Sequence, residues 1–196
     1  MPLRRVCVFC GSSAGFHQDY RDGASRLADE LVARGIGLVF GGGKVGLMGA
    51  IADAVLARGG EVIGVIPQSL AIREVAHDGL ADLRIVNSMH ERKALMADLS
   101  DAFIAMPGGF GTFEEFCEVI TWTQLGLHRK RCGLLNIRGF YDPLLALFDR
   151  AVDDGFLKPQ NRDIVFASDD PAVLVDHLSS PLALPEPKWI PGPGEA

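Results

Sequence analysis

Seven short apolar runs punctuate the chain: VCVFC, GLVF, EVIGVI, LRIV, AFIAM, CGLLNI and IVFA. Each is brief, most are rich in β-branched residues, and this predicts strands. Between them, apolar residues recur at helical spacing, as with Ala24, Leu27, Ala28, Leu31 and Val32. Asp142-Pro143 and Asp170-Pro171 each set an N-cap aspartate before a proline at the first helical position. Strands that are apolar almost throughout, alternating with helices, imply a mainly parallel sheet covered on both faces. The expected fold is one α/β domain over residues 1–178, doubly wound and Rossmann-like in architecture. From Ser179 the pattern stops: SSPLALPEPKWIPGPGEA holds five prolines in eighteen residues and predicts an extended tail over 179–196, with Trp189 and Ile190 as its anchors.

Composition narrows the function. The 196 residues are 48% hydrophobic and 22% charged, values of an ordinary globular domain with a substantial core. A net charge of −6 argues against nucleic acid or an anionic membrane surface as partner. No apolar run reaches the ~18 residues of a membrane span, and MPLRRVCVFCGSS has no signal-peptide layout, so a cytoplasmic protein is expected. Cys7 and Cys10 form a C-x-x-C, but inside a strand such residues point to opposite faces, which predicts buried thiols and no redox or zinc pair.

In a doubly wound sheet, ligands bind where strands end and glycine-rich turns lead into helices. Three turns qualify: CGSS, FGGGKVGLMG and MPGGFGT. Gly41, Gly43 and Gly46 match G-x-G-x-x-G, yet the acid twenty residues on, Glu61, opens a strand where a ribose-binding acid should close one. The loop also follows the second strand. Lys44 is not followed by Ser or Thr, so it is no Walker A lysine. The histidines lack metal-ligand spacing, and no metal or organic cofactor is expected.

MPGGFGT reads differently. Its glycines let backbone N–H groups converge, and a helix read as beginning at Thr112 adds its N-terminal partial charge, an arrangement that suits a phosphate monoester. Glu115 admits two readings. Thr112 and Glu115 form a T-x-x-E capping box, which would make the glutamate a helix cap. Alternatively Glu114, Glu115, Glu118 and Thr121, opposite an apolar stripe of Phe113, Phe116, Cys117 and Ile120, form a polar side that is either a solvated face or a pocket wall. Ser88 and Glu91 form another capping box, starting a helix near Met89. On that helix Arg92 shares a stripe with Met89, Leu95, Met96 and Leu99, facing inward, where a cation requires an anion: a structural carboxylate, a catalytic glutamate or a ligand phosphate. Lys93 is either a second phosphate contact or a surface residue.

These segments together, SMHERKALMADLSDAFIAMPGGFGTFEEFCEVITWTQLGLH with CVFCGSS, GLVFGGGKVGLMGAIADAV and EVAHDGLADL, resemble the Lonely Guy family of cytokinin riboside 5′-monophosphate phosphoribohydrolases. The resemblance spans Arg4 to Leu178. The family's members are often labelled lysine decarboxylases, a label no residue pattern here supports. By position, the resemblance implies a catalytic pair Arg92 and Glu115. It implies substrate contacts from Glu74, Arg92, Lys93, Gly108, Gly109, Phe110, Gly111, Thr112, Phe113, Glu114 and Thr121, completed by Gly43 and Ser12. It further implies a nucleoside 5′-monophosphate substrate, cleavage of its N-glycosidic bond to free base and ribose 5-phosphate, and a homodimer with sites near the subunit contact. Arg92 is expected to orient Glu115 and keep it ionised. The alternative from another class is a non-catalytic nucleotide-binding sensor or carrier, in which Arg92 and Glu115 are a structural pair only.

Overall fold

The computed structural model describes residues 3–71 and 76–180. All seven predicted runs are strands: β1 (Arg5–Phe9), β2 (Gly37–Phe40), β3 (Val62–Pro67), β4 (Asp82–Val86), β5 (Ala102–Ala105), β6 (Arg131–Leu135) and β7 (Val165–Ser168). The helices are α1 (Gln18–Ala33), α2 (Gly46–Ala57), α3 (Gln68–Ala71), α4 (Met89–Asp98), α5 (Phe110–Gln124), α6 (Asp142–Asp153), α7 (Pro159–Arg162) and α8 (Pro171–Ser179). The strands pair in parallel, in the order β4-β3-β2-β1-β5-β6-β7. This is the doubly wound α/β sheet that the alternating pattern implies.

The pleat sends alternate residues of β1 to separate cores. Val6, Val8 and Cys10 join Leu27, Leu31 and Ile51 of α1 and α2, with Leu174 of α8. Cys7 and Phe9 join Met96 of α4 and Phe116 and Val119 of α5 on the other face. The C-x-x-C is thereby split between the faces, and both thiols are free and buried.

Asp170 caps α8 as expected, its carboxylate accepting the Ala172 N–H at 2.8 Å. In α6 the reading shifts by one residue: Tyr141 is the N-cap and Asp142 the first helical residue, because its carboxylate accepts from the Asn136 side-chain amide at 2.7 Å instead of capping. The proline-rich stretch beyond Ser180, with Trp189 and Ile190, lies outside the described residues.

Strand order supplies what periodicity cannot. The chain leaves β1 toward β4 on one side, then returns to β5 on the other, so a topological switch point opens between β1 and β5. With β2 beside β1, the three glycine-rich turns emerge from three adjacent strands. They touch: the Gly11 N–H donates to Pro107 O at 3.1 Å, and the Leu47 N–H to Gly11 O at 3.0 Å.

Candidate active site

Helix α4 begins as its sequence predicts. Ser88 Oγ accepts the Glu91 N–H at 3.1 Å, while Glu91 reaches back to the Asn87 N–H at 2.9 Å, one residue earlier than an ideal capping box. This fixes Arg92 on the inner side of the first turn, with only 7% of its surface exposed. Its Nε donates to Val65 O and its Nη2 to Gly41 O, each at 3.1 Å. The guanidinium thus lies over the carboxyl ends of β3 and β2. A Cβ on Gly41 would stand 2.0 Å from Nη2, so the first glycine of the G-x-G-x-x-G leaves room for an arginine and not for a pyrophosphate. Glu61 is engaged by Arg5 at 2.8 Å, near the amino ends of the strands, which removes it from any ribose site.

Helix α5 corrects the sequence reading in two respects. It starts at Phe110, with Gly109 as an extended N-cap, so Thr112 lies inside the first turn and no Thr112–Glu115 capping box forms. Gly108 turns the chain early: a Cβ there would sit 2.1 Å from Thr112 Oγ1 and 2.8 Å from Gly11 N, and the glycine allows the β5 loop to close onto the β1 loop. The buried side of α5 carries Thr112, Phe116, Val119 and Thr123. Glu115 falls beside Phe116 and Thr112 rather than on a solvated face, and its side chain is 11% exposed.

Arg92 and Glu115 meet there, Nη1 to Oε1 at 3.5 Å. Two groups of opposite charge, buried together, are expensive to desolvate, and one long contact does not offset the cost. Burial therefore pushes the Glu115 carboxyl up to about 7, with Arg92 pulling the other way and Glu114 adding to the rise. The expectation that Arg92 holds Glu115 ionised is corrected accordingly: near neutral pH the carboxyl is poised between its two states. Such a group both accepts and returns a proton.

Lys93, next along α4, points to the outer side of the pair. Its Nζ lies 2.5 Å from Glu114 Oε1 and 3.0 Å from Glu118 Oε2. Burial works against the Lys93 charge, but the two carboxylates together outweigh it and raise its pKa.

Gly108 to Thr112 form the turn and first helical positions beside the pair. Gly108 and Gly109 also line a cavity of about 330 Å³ with Ser12, Gly15, Tyr20, Leu47 and Phe140. Phe110 is nearly fully exposed, whereas Phe113 turns inward against Phe140 and Tyr141. Gly43 is buried in the turn after β2 and bridges to Ala76. Thr121 is not brought to the pair within one chain: it lies farther along α5, beside a different cavity with Ile120, Gln124, Phe148 and Phe156. Glu74 lies outside the described residues.

The sequence reading missed the supports. Tyr141 is buried and donates its hydroxyl to Met106 O at 2.7 Å, holding the start of the MPGGFGT turn. Gly41 and the Val65 carbonyl anchor Arg92. For Gly41 a signal existed in the glycine itself, but it pointed to the wrong ligand; a backbone carbonyl leaves no signal at all. Among the described residues no group of three or more His, Cys, Asp or Glu is placed to hold a metal ion.

The sequence profile of the family described as "Possible lysine decarboxylase" matches residues 48–178. The chain is 56% identical over 176 residues to a probable cytokinin riboside 5′-monophosphate phosphoribohydrolase of Oryza sativa subsp. japonica, spanning 90% of this chain and 78% of that protein. It is 53% identical over 176 residues to the cytokinin riboside 5′-monophosphate phosphoribohydrolase LOG2 of Arabidopsis thaliana, spanning 90% and 83%. Among solved structures, the molybdenum cofactor binding protein of Rippkaea orientalis superposes with a TM-score of 0.68 at 19% identity, over 90% of this chain and 96% of that one. The molybdenum cofactor carrier protein of Chlamydomonas reinhardtii does so with 0.68 at 21%, over 90% and 98%. These two likenesses establish the fold alone.

Proposed function

Because this chain belongs to the family described as "Possible lysine decarboxylase", among the cytokinin riboside 5′-monophosphate phosphoribohydrolases, we propose that it hydrolyses the N-glycosidic bond of adenosine 5′-monophosphates, N6-substituted or plain. The observation that carries this reading is the buried Arg92–Glu115 pair, held at the sheet's carboxyl edge beside a glycine turn that opens a helix.

The turn over Gly108 to Thr112 takes the 5′-phosphate. The helix N-terminus supplies unpaired N–H groups and a partial positive charge. Anchored there, the nucleotide presents its ribose to the pair. Breaking the bond between C1′ and the base nitrogen leaves oxocarbenium character at C1′. Glu115 in its ionised form stabilises that charge and takes the proton of the water that attacks C1′. The electron pair of the broken bond leaves with the base, which is protonated, and ribose 5-phosphate is the second product. Arg92, fixed by two backbone carbonyls, positions Glu115 and the nucleotide. Lys93, Glu114 and Gly43 complete the substrate contacts.

The acting form is a homodimer. Helix α6 is strongly amphipathic yet has no fully buried residue: Leu144, Leu145 and Phe148 are half covered, and Leu147 is 61% exposed. Phe148 and the exposed Phe156 line one cavity with Thr121, and a second copy docked on this side would cover these apolar groups. Thr121 joins a substrate site across that contact. The described residues contain no helix long and apolar enough to cross a membrane, and the proposed location is the cytoplasm.

The test is base release from AMP and isopentenyl-AMP, followed chromatographically, beside the matching nucleosides. We expect release from the 5′-monophosphates and little from adenosine, because the phosphate supplies the binding energy that orients the ribose. Equal cleavage of adenosine and AMP refutes the assignment of the glycine turn, and no release from any of them refutes the activity.

A further inference from the structure

Three consecutive glycines, Gly41 to Gly43, carry the carbonyl on which the guanidinium of Arg92 rests, yet no side chain of their own restrains them. What restrains them comes from elsewhere in the chain. The His77 N–H donates to Gly42 O at 2.9 Å, and Gly43 forms a bridge with Ala76. The His77 ring is 3% exposed and set edge-on against Phe40, the last residue of β2, with centroids 6.4 Å apart. Its Nδ1 accepts the Gly79 N–H at 3.2 Å, which assigns the ring proton to Nε2. Nε2 then donates to Asp53 Oδ1 on α2 at 2.9 Å. His77 thus joins three places: its backbone N–H holds the turn after β2, while its buried ring lies against the end of β2 and bonds the body of α2, so that fixing the ring fixes the backbone that holds the turn. Lys44 and Asp78 add an exposed ion pair at 2.8 Å beside it.

We propose that His77 is a positioning residue for the glycosidic cleavage: it fixes the Gly41–Gly43 turn, and through the Gly41 carbonyl it sets the place of Arg92 against Glu115. The inference rests on the function proposed above. Its chemistry is that of an orienter. His77 touches neither Arg92 nor Glu115, and it acts by removing the freedom of a turn that glycine leaves loose. A displacement of that carbonyl moves an arginine hydrogen-bonded to it at 3.1 Å. Misplacement of about 1 Å in a catalytic constellation costs up to ~10²-fold in rate.

Three variants separate this role from plain stability. His77→Asn keeps an acceptor for the Gly79 N–H but loses the reach to Asp53. Asp53→Asn keeps an acceptor for Nε2–H and alters only charge. Asp53→Ala removes the acceptor at a largely exposed position. Turnover of AMP, the affinity for ribose 5-phosphate and the titration of a 13C-labelled Glu115 carboxyl are measured on each. For His77→Asn we expect kcat to fall about tenfold or more, ribose 5-phosphate affinity to fall by much less than kcat because the turn over Gly108 to Thr112 still holds the phosphate, and the Glu115 titration to move upward as Arg92 recedes. Asp53→Asn restores near wild-type kcat, and Asp53→Ala falls between the two. Should His77→Asn not fold, the contrast between Asp53→Ala and Asp53→Asn carries the same test. A folded His77→Asn protein with unchanged kcat and an unmoved Glu115 titration overturns the proposal, as does a parallel loss of turnover and ribose 5-phosphate affinity. If wild type releases no base from any 5′-monophosphate, the functional reading fails, while the Glu115 titration still decides whether His77 places Arg92.

Discussion

Replacing Glu115 by glutamine separates the charge of this side chain from its shape. Burial pushes the Glu115 carboxyl up from an ordinary 4.5 to about 7. A difference of about 2.5 pH units corresponds to about 3 kcal/mol by which the folded structure disfavours the ionised form. The folded pKa is the raised one, so this penalty is absent below the unfolded value, grows as the pH climbs from about 4.5 to about 7, and is complete above that. Glutamine resembles the protonated acid at every pH. Glu115→Gln is therefore expected to be more stable than wild type by about 3 kcal/mol at pH 8, and by less than about 1 kcal/mol at pH 5. For a chain of this length that is a rise in Tm of roughly 6–12 °C at pH 8. Turnover should move the other way, falling at least about a hundredfold, since an amide neither takes a proton nor balances a developing cation. Melting curves at the two pH values and base release from AMP, on one preparation, read both effects. A Tm difference that is the same at pH 5 and pH 8 refutes the desolvation argument, and near wild-type base release moves the catalytic role to another carboxylate.

The same poise predicts that kcat/KM for AMP rises with pH through about 7 as Glu115 ionises and then levels; a profile flat from pH 5.5 to 8.5 contradicts a base at this position. Gly108→Ala places a methyl 2.1 Å from Thr112 Oγ1 and should lower ribose 5-phosphate affinity by about tenfold or more, read by calorimetry; unchanged affinity would mean the turn does not hold the phosphate. Leu147→Asp sets a charge in the apolar face of α6 and should convert a dimer into a folded monomer in sedimentation; a variant still dimeric at micromolar concentration shows that the contact lies elsewhere.

Local signals made much of this molecule legible in its sequence. Each strand announced itself as an apolar run, and the Ser88 capping box fixed the phase of α4 well enough to turn Arg92 inward. The first turn of α5 misled because Thr112 is a better cap by side chain than Gly109, yet the turn at Gly108 decides the backbone, and the helix begins two residues sooner. The apolar stripe misled in a separate way about Glu115. Phe113, Cys117 and Ile120 look like the buried stripe, but they are only half covered, while Thr112, Val119 and Thr123 pack inward. The pKa of Glu115 lay beyond sequence reasoning for a further reason: its burial comes from strands whose neighbours no periodicity names.

Helix α5 gathers onto one rod the N-terminus beside Gly108, the acid at Glu115 and, farther along, Thr121. An α-helix turns about 100° and advances about 1.5 Å with each residue. A single codon inserted or lost between Gly109 and Thr121 would swing everything beyond it through more than a quarter-turn, parting the threonine from the side on which it sits. The spacing from 109 to 121 therefore decides which side of the rod each of these groups presents, and no change in the connection after Gly126 can compensate for an error within it.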